Sequence, residues 1–554
     1  MERRRLISIE PIEKRIPKSV YDELETVIWT EVSKSENPDA ILEPYLYPID
    51  NIKEIADSDN LEYKENVRAM ADDIWGKEVW FDALIVYYIL MHIITFMPTD
   101  FYKMGYALGK LGYSHLGEEL MSVYEPLSPN KKVTCHAIAN FYYCATATPY
   151  KAIPFFEKYL EFDSTKSNIY LSLGHLYSQV GDMVSDEKQL ECYQKAYEID
   201  PNNGTVIKSL LTAYEKRHIT EKVKELYPEL IRVMPSPRHS LNYGLYLMSW
   251  GKIQEGYKYF TERFELENYP IGYPKGILNG SNRWNCRDAI HDKTLVIHYE
   301  EGFGDSIMYV RFLPLIRQYA KRTVLIVQPE LIDLFKQSLV VSWGIEIMGD
   351  IKEFISKYKD EPFVHLPLMD TPYPLGVDSH FIPYSNSYLN AQKPVKFDKH
   401  KINIGIAYSG DVTSNYNNRN IDLSEFLRLS KISDKIQLYS LQVGEASNQL
   451  KNTDLNIIDL GKDFNTFTDT ANAISGLDLV VTSDNVILNL AGALGKKTYA
   501  VFNKYPNYRW FDLDGDDVVW YNSVKPFQCE VEDDWESAFD NVEEEIKKEF
   551  LNEV

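Results

Sequence analysis

Residues 478–502 read DLVVTSDNVILNLAGALGKKTYAVF. A β-branched run ending at Ser483 passes through a polar turn into an apolar segment. Gly492 and Gly495 allow close packing of that segment and a tight stop, and a second β-branched run follows from Thr498 to Phe502. Strand, helix and strand in this order imply a parallel sheet. The helix opening at Ser483, Asp484 and Asn485 presents unpaired backbone amides and the positive end of its dipole, so it is suited to a diphosphate. Asp484 has two readings at this position, a ligand-side carboxylate or an N-cap.

The same texture extends on both sides. Upstream strands are expected at 294–299, 323–328, 345–349 and 362–366. A second series is expected at 402–409, 436–442, 456–460, 478–483 and 498–502. A joint rich in Pro and Asn, Pro383 to Pro394, separates the series, which predicts two Rossmann-like lobes. The stretch NYPIGYPKGILNGSNRW, beginning near Tyr269, reads as a linker or loop.

Before that linker the apolar spacing is three and four, the period of helices. Candidate repeat ends fall at Pro98, Pro129, Ser164, Pro201 and Pro235, close to the period of about 34 residues of tetratricopeptide arrays. Tyr170, Leu173, Gly174 and Tyr177 form the first helix of one unit, and Tyr193, Ala196 and Pro201 close its second. The small residues let paired helices approach, and the aromatics fill the gaps. The expected organisation is a helical cap over 1–80, repeats over 81–268, one lobe over 269–392 and a second over 393–554 with a closing C-terminal helix. The run ALIVYYILMHIITFM (83–97) is too short to span a bilayer and reads as a buried helix.

A net charge of −23 repels phosphate backbones and anionic lipid, so nucleic-acid and membrane partners are not expected. The five cysteines, Cys135, Cys144, Cys192, Cys286 and Cys529, form no CxxC pair, which fits reduced thiols in the cytoplasm. The basic start MERRRLISIEPIEKR lacks the apolar core of a secretory signal. No metal cluster is expected; Asp514, Asp516 and Asp517 read as solvated acids in a turn.

Two further segments carry candidate chemistry. In HYEEGFGDSIMYVRFLPLI (298–316) a strand ends in a glycine turn, and a helix begins near Asp305. Gly302 and Gly304 permit backbone close to a ligand. Asp305 sits where a carboxylate could take a proton from a hydroxyl, or where it merely caps the helix. In IAYSGDVTSNYNNRN (406–420), Ser409, Gly410 and Arg419 suit a phosphate cradle, with the alternative of a polar surface loop.

GFGDSIMYVRFLPL resembles the GLGDxIxFARxLPLL signature of bacterial tetratricopeptide-linked glycosyltransferases, similar to the ADP-heptosyltransferase group and distantly to O-GlcNAc transferases. In the same order, GKIQEGYKYFTERFE (251–265), HLPLMDTPYPLG (365–376) with FIPYSNSYL (381–389), IGIAYSG, YSLQVG (439–444), the run 459–484 and LNLAGALGKK (488–497) resemble that family's other segments. The likeness covers roughly residues 245–525. It implies a GT-B fold and a metal-independent, inverting transfer of sugar from a nucleotide-sugar, a UDP- or ADP-sugar by preference. It implies Asp305 as general base, Ser409, Gly410 and Arg419 near the donor phosphates, and Gln442 on the nucleotide side. It also places Asp484, Asn485 and Asn489 under the pyrophosphate, with Asp469 and Thr470 as support for the cleft. The expected acceptor is a protein or peptide held by the repeat array.

One departure stands out. The family usually reads AHLAGALG, and Asn489 replaces that histidine; an amide donates hydrogen bonds but carries no positive charge. The usual Asp-Thr pair is here Asp484-Asn485. These changes motivate an alternative, a tetratricopeptide adaptor whose transferase lobes are inactive. A nucleotide-sugar epimerase shares the two-lobed architecture but needs no protein-binding array.

Overall fold

The computed structural model describes residues 16–34, 61–93, 97–180, 182–266, 277–278, 280–338, 343–358, 361–378, 381–410, 419–452, 457–510 and 519–551. Much of the expected N-terminal cap, most of the linker after Tyr269, the loop 411–418 and the acids Asp514, Asp516 and Asp517 lie outside them. The chain divides into two compact units, Met1–Met234 and Pro235–Val554.

The first unit is helical and tetratricopeptide-like. After α1 (Lys18–Ser33), α2 (Leu61–Gly76) and α3 (Trp80–Ile93) come four hairpins. They are α4 (Pro98–Lys110) with α5 (Ser114–Leu127), α6 (Lys131–Ala145) with α7 (Ile153–Phe162), α8 (Ser167–Val180) with α9 (Met183–Ile199), and α10 (Gly204–Lys216) with α11 (Thr220–Val233). Sequence sets these starts locally. Pro98 occupies the first turn of α4, where a missing N–H costs nothing. The side chain of Asn130 accepts from Val133 N, that of Asp182 from Ser185 N, and that of Asn203 from Val206 N. The close approach expected at Gly174 is real: a Cβ there would lie 2.3 Å from the Tyr193 ring. Ala83 to Met91 are buried along α3, as expected. No described helix is long and apolar enough to cross a membrane.

The second unit begins with a further hairpin, α12 (Pro237–Ser249) and α13 (Ile253–Phe260), followed by a 3-10 turn, Thr261–Glu265. Two parallel sheets follow. One holds β1 (Ile290–His298), β2 (Ala320–Ile326), β3 (Glu346–Met348) and β4 (Phe363–Pro367) in the order β3-β2-β1-β4. The other holds β5 (Ile402–Ala407), β6 (Ile436–Ser440), β7 (Ile457–Asp459), β8 (Leu479–Ser483), β9 (Thr498–Phe502) and β10 (Val524–Gln528) in the order β10-β9-β8-β5-β6-β7. Every pairing among these strands is parallel. Four helices matter below: α14 (Phe303–Tyr309), α15 (Phe467–Gly476), α16 (Val486–Ala493) and α17 (Trp535–Phe550). Each expected strand is present. β10 escaped the sequence reading because VKPFQ holds a lysine and a proline; among the described strands it pairs only with β9, and an edge strand tolerates Pro526.

Alternate residues of the second sheet serve two cores. Val480 joins the cluster that also contains Leu295, Ile297, Tyr257 and Phe260. Its neighbour Val481 joins Phe539, Val542 and Ile546 of α17. The first core encloses a charge network. Arg263, fully buried, donates through Nε to Glu300 Oε1 at 3.1 Å and through Nη2 to Glu300 Oε2 at 2.8 Å and Asp370 Oδ1 at 2.7 Å. It ties the end of the last hairpin to the loops after β1 and β4. Burial pushes the Glu300 carboxyl up to about 7, against the pull of Arg263.

Two outcomes follow. Removing the cation leaves two buried carboxylates, so Arg263→Met lowers the stability of the second unit by about 3–5 kcal/mol in urea unfolding at neutral pH. Folded Glu300 holds its proton more tightly than the unfolded chain does. Its contribution is therefore complete below the ordinary carboxylate range and is lost as pH rises through about 7. Unfolding of Glu300→Gln across that window lacks this decline.

Candidate functional site

In the second sheet the strand order reverses between β5 and β8, and in the first between β1 and β4. Ligands of open parallel sheets bind beyond strand C-termini at such switch points. A cavity of about 750 Å³ lies there, and all the candidate residues line it. Gly302, Gly304 and Asp305 come from the loop and helix after β1. Ser409, Gly410 and Arg419 follow β5, Gln442 follows β6, and Asp484, Asn485 and Asn489 follow β8.

Asp305 does not cap its helix. Gly302 is the N-cap of α14, and Asp305 lies in the first turn. Its Oδ1 is 2.6 Å from Nε of Arg509, in the loop after β9. The contact is one of charge, because that Nε is shielded from solvent without a hydrogen-bond partner among the described residues. Burial works against the charge on Arg509, but Asp305, Tyr508, Tyr309 and Asp484 more than offset this and hold the guanidinium charged. Nη1 of Arg509 donates to Asn507 Oδ1 at 3.0 Å, and the guanidinium lies 4.8 Å from the centre of the Tyr508 ring.

On the opposite wall the cap of α16 is Asn485, not Asp484: Asn485 Oδ1 accepts from Ile487 N at 2.8 Å. Its amide nitrogen donates to Ser483 Oγ and Ala407 O, so this side chain is committed to the strand-to-helix turn. Asp484 is thereby left to face the cavity. Burial raises its carboxyl above the usual range, while Arg419 and Arg509 pull it down. Nε of Arg419 is likewise shielded and without a partner among the described residues. Gly410 makes room for that guanidinium, since a Cβ would lie 3.2 Å from it.

Gln442 is a clamp. Its Oε1 accepts from Tyr408 N at 3.1 Å and Ser409 N at 3.0 Å, and its Nε2 donates to Ser409 O and Val443 O. Asn420, which sequence reasoning passed over, completes the turn by accepting from Ser409 Oγ and Gly410 N. Asn489 sits beneath Gly304, whose Cβ would be 3.0 Å from its Nδ2, and its Oδ1 accepts from Tyr521 OH at 3.0 Å. Asp469 and Thr466 cap α15 reciprocally. Thr470 reaches the cavity wall.

The cavity thus brings the carboxylates of Asp305 and Asp484 together with the guanidiniums of Arg419 and Arg509, and Glu301 and Glu445 also line it. Phe303 and Phe467, with ring centres 5.0 Å apart, add an apolar wall. Arg509 and Gln328 were missed. A charged residue just past the run TYAVF lies at the ligand edge of a parallel sheet, and that position was the available signal. Gln328 bridges two loops, accepting from Ser306 Oγ and donating to Glu301 O.

No protein-family model matches the chain, and no curated protein matches it. Solved structures to which it is similar include MamA from Desulfovibrio magneticus RS-1, at 19% identity over 31% of this chain and 94% of that one, with a TM-score of 0.27. YrrB, described as a TPR protein with an unusual peptide-binding site, is 14% identical over 31% of this chain and 87% of that one, with a TM-score of 0.26. Likenesses at this level carry no argument about the site.

The clamp gives a direct test. Gln442→Ala leaves the amides of Tyr408 and Ser409 without their acceptor, a loss of about 1–3 kcal/mol for each buried group left unsatisfied. Hydrogen exchange is expected to accelerate at both amides, with the amides of β8 unchanged.

Proposed function

We propose that the second unit is a glycosyltransferase domain of GT-B type that binds a nucleotide-sugar in this cavity and transfers its sugar to an acceptor hydroxyl. One observation supports the reading above the others: residues from separate loops of both sheets, chosen from sequence for that chemistry, line one cavity. Its volume of about 750 Å³ falls within the range of about 300–1,000 Å³ usual for small-ligand sites. Arg419 and Arg509 supply charge for a diphosphate, and the Phe303–Phe467 wall supplies a surface for a flat ring.

In the proposed reaction the acceptor oxygen attacks the anomeric carbon, and Asp305 takes the hydroxyl proton. The new O–C bond forms as the bond from that carbon to the diphosphate oxygen breaks. The electron pair leaves on the nucleoside diphosphate, where the guanidiniums stabilise it. A UDP- or ADP-sugar is the proposed donor. A protein or peptide is the proposed acceptor, since tetratricopeptide-type arrays offer polypeptide-binding surfaces.

A second reading is favoured by specific contacts: Asp305 Oδ1 is taken by Arg509, and Asn489 Oδ1 by Tyr521. On that reading the chain is a protein-binding scaffold with an inactive transferase-like domain.

A thermal-shift panel of UDP-, ADP-, GDP- and CMP-sugars separates the two. A ligand at about 100 times its Kd stabilises by about 2.7 kcal/mol, so one base is expected to raise the melting temperature selectively. Release of the matching nucleotide should fall about 10²–10⁴-fold in Asp305→Asn. A panel with neither a shift nor turnover leaves the scaffold.

A further inference from the structure

The contact between Asp305 and Arg509 sets a problem for the proposed chemistry. A base whose Oδ1 rests 2.6 Å from a guanidinium is in no position to receive a hydroxyl proton at that oxygen. The same guanidinium is one of two cations lining a cavity proposed to hold a diphosphate. Both demands are met if one residue serves them in turn.

We infer that Arg509 exchanges partners: it holds the Asp305 carboxylate as seen here and turns to the diphosphate of a nucleoside diphosphate donor, so that Oδ1 of Asp305 becomes free for the acceptor hydroxyl once the donor is seated. This rests on the transferase reading and adds an order of events to it. Three features carry it. Nε of Arg509 has charge contact without hydrogen-bond alignment, so the pair is not locked by geometry. Asp484 lines the same cavity as Arg509, so a second carboxylate already lies on the cavity side. The arm is also steadied, since Nη1 donates to Asn507 and the guanidinium lies over Tyr508, and the planar group turns as a whole when it changes partner. Phosphate competes well for such a group, because guanidinium matches its geometry as closely as that of carboxylate. Arg509 is on this account a positioning residue for Asp305 and a direct ligand of the donor.

The test uses the full chain and calorimetric titration with UDP and with ADP, so that it does not depend on turnover. Asp305→Asn frees Arg509 from its ion pair and is expected to bind the preferred nucleoside diphosphate about tenfold more tightly than the wild type. Arg509→Met is expected to bind it about tenfold or more weakly, with Arg509→Lys between. The decisive measurement is the double variant. If Asp305 acts through Arg509, the gain from Asp305→Asn disappears in the Arg509→Met background. A gain that persists there is only the removal of a negative charge from the cavity, and it overturns the exchange. Unchanged or weaker binding in Asp305→Asn, with the wild type binding normally, also overturns it while leaving the transferase reading standing. Wild-type protein that binds neither nucleotide removes both.

Discussion

A parallel strand cannot return through a hairpin; it needs a crossover of a dozen residues or more. Because both sheets are wholly parallel, each strand releases its chain toward the next element at the same edge. Glu301 to Asp305, Gln328, Ser409, Gln442, Asp484 and Arg509 each follow the C-terminal end of a strand. Groups spread over about two hundred residues of sequence therefore meet without any long loop having to carry them. Glycines finish the work where the elements come nearest. Gly304 lets α14 lie against Asn489, and Gly461 lets its loop lie against the backbone of Gln442, where a Cβ would be 2.0 Å from the carbonyl oxygen.

Holding two sheets in fixed relation takes more than apolar contact, and this unit uses two buried arginines of opposite character. Arg263 is neutralised by Glu300 and Asp370. Arg311 is fully buried yet donates to the carbonyls of Met308 and Trp520 and to Tyr388 OH, with its guanidinium 4.5 Å from the Tyr521 ring centre. Carbonyl dipoles and ring faces do there what carboxylates do for Arg263. Tyr521 in turn donates to Asn489, so the contact that binds Arg311 to the second sheet continues to the cavity floor. An asparagine in this place holds the floor through neutral hydrogen bonds, and positive charge in the cavity is left to Arg419 and Arg509.

The strands were legible because β-branched runs between turn residues have few other outcomes. The repeat was legible because its ends at Pro98, Pro129, Ser164, Pro201 and Pro235 are nearly evenly spaced, with small residues such as Gly174 and Ala196 where helices must touch. Candidate site residues were legible as positions for the same reason: turns after strands of a parallel sheet face one edge. Their roles were not. Asp484 and Asn485 are adjacent, and either side chain can cap a helix; only the tertiary setting turns Asn485 to Ile487 N and Asp484 to the cavity. Gln442 reads as a ligand-side amide, but its hydrogen bonds go to backbone. Arg509 stood in a segment with no glycine turn to draw attention, and its partner Asp305 is distant in sequence.

Charge explains why that last pair is central. A chain of net charge −23 repels polyphosphate over most of its surface. A diphosphate would meet local cations in this cavity at Arg419 and Arg509, and the described lining also holds four carboxylates, Glu301, Asp305, Glu445 and Asp484. That excess of acid is an unfavourable setting for tight anion binding and a favourable one for exchange, because a small change in which carboxylate each guanidinium faces alters the charge presented to a ligand. A cavity with bare arginines would bind nucleoside diphosphate strongly and release it slowly, and product release limits turnover in many enzymes. A carboxylate that reclaims its arginine as the product leaves restores the starting arrangement and shortens the stay of the leaving group, which makes the pair of Asp305 and Arg509 intelligible at both ends of the proposed cycle.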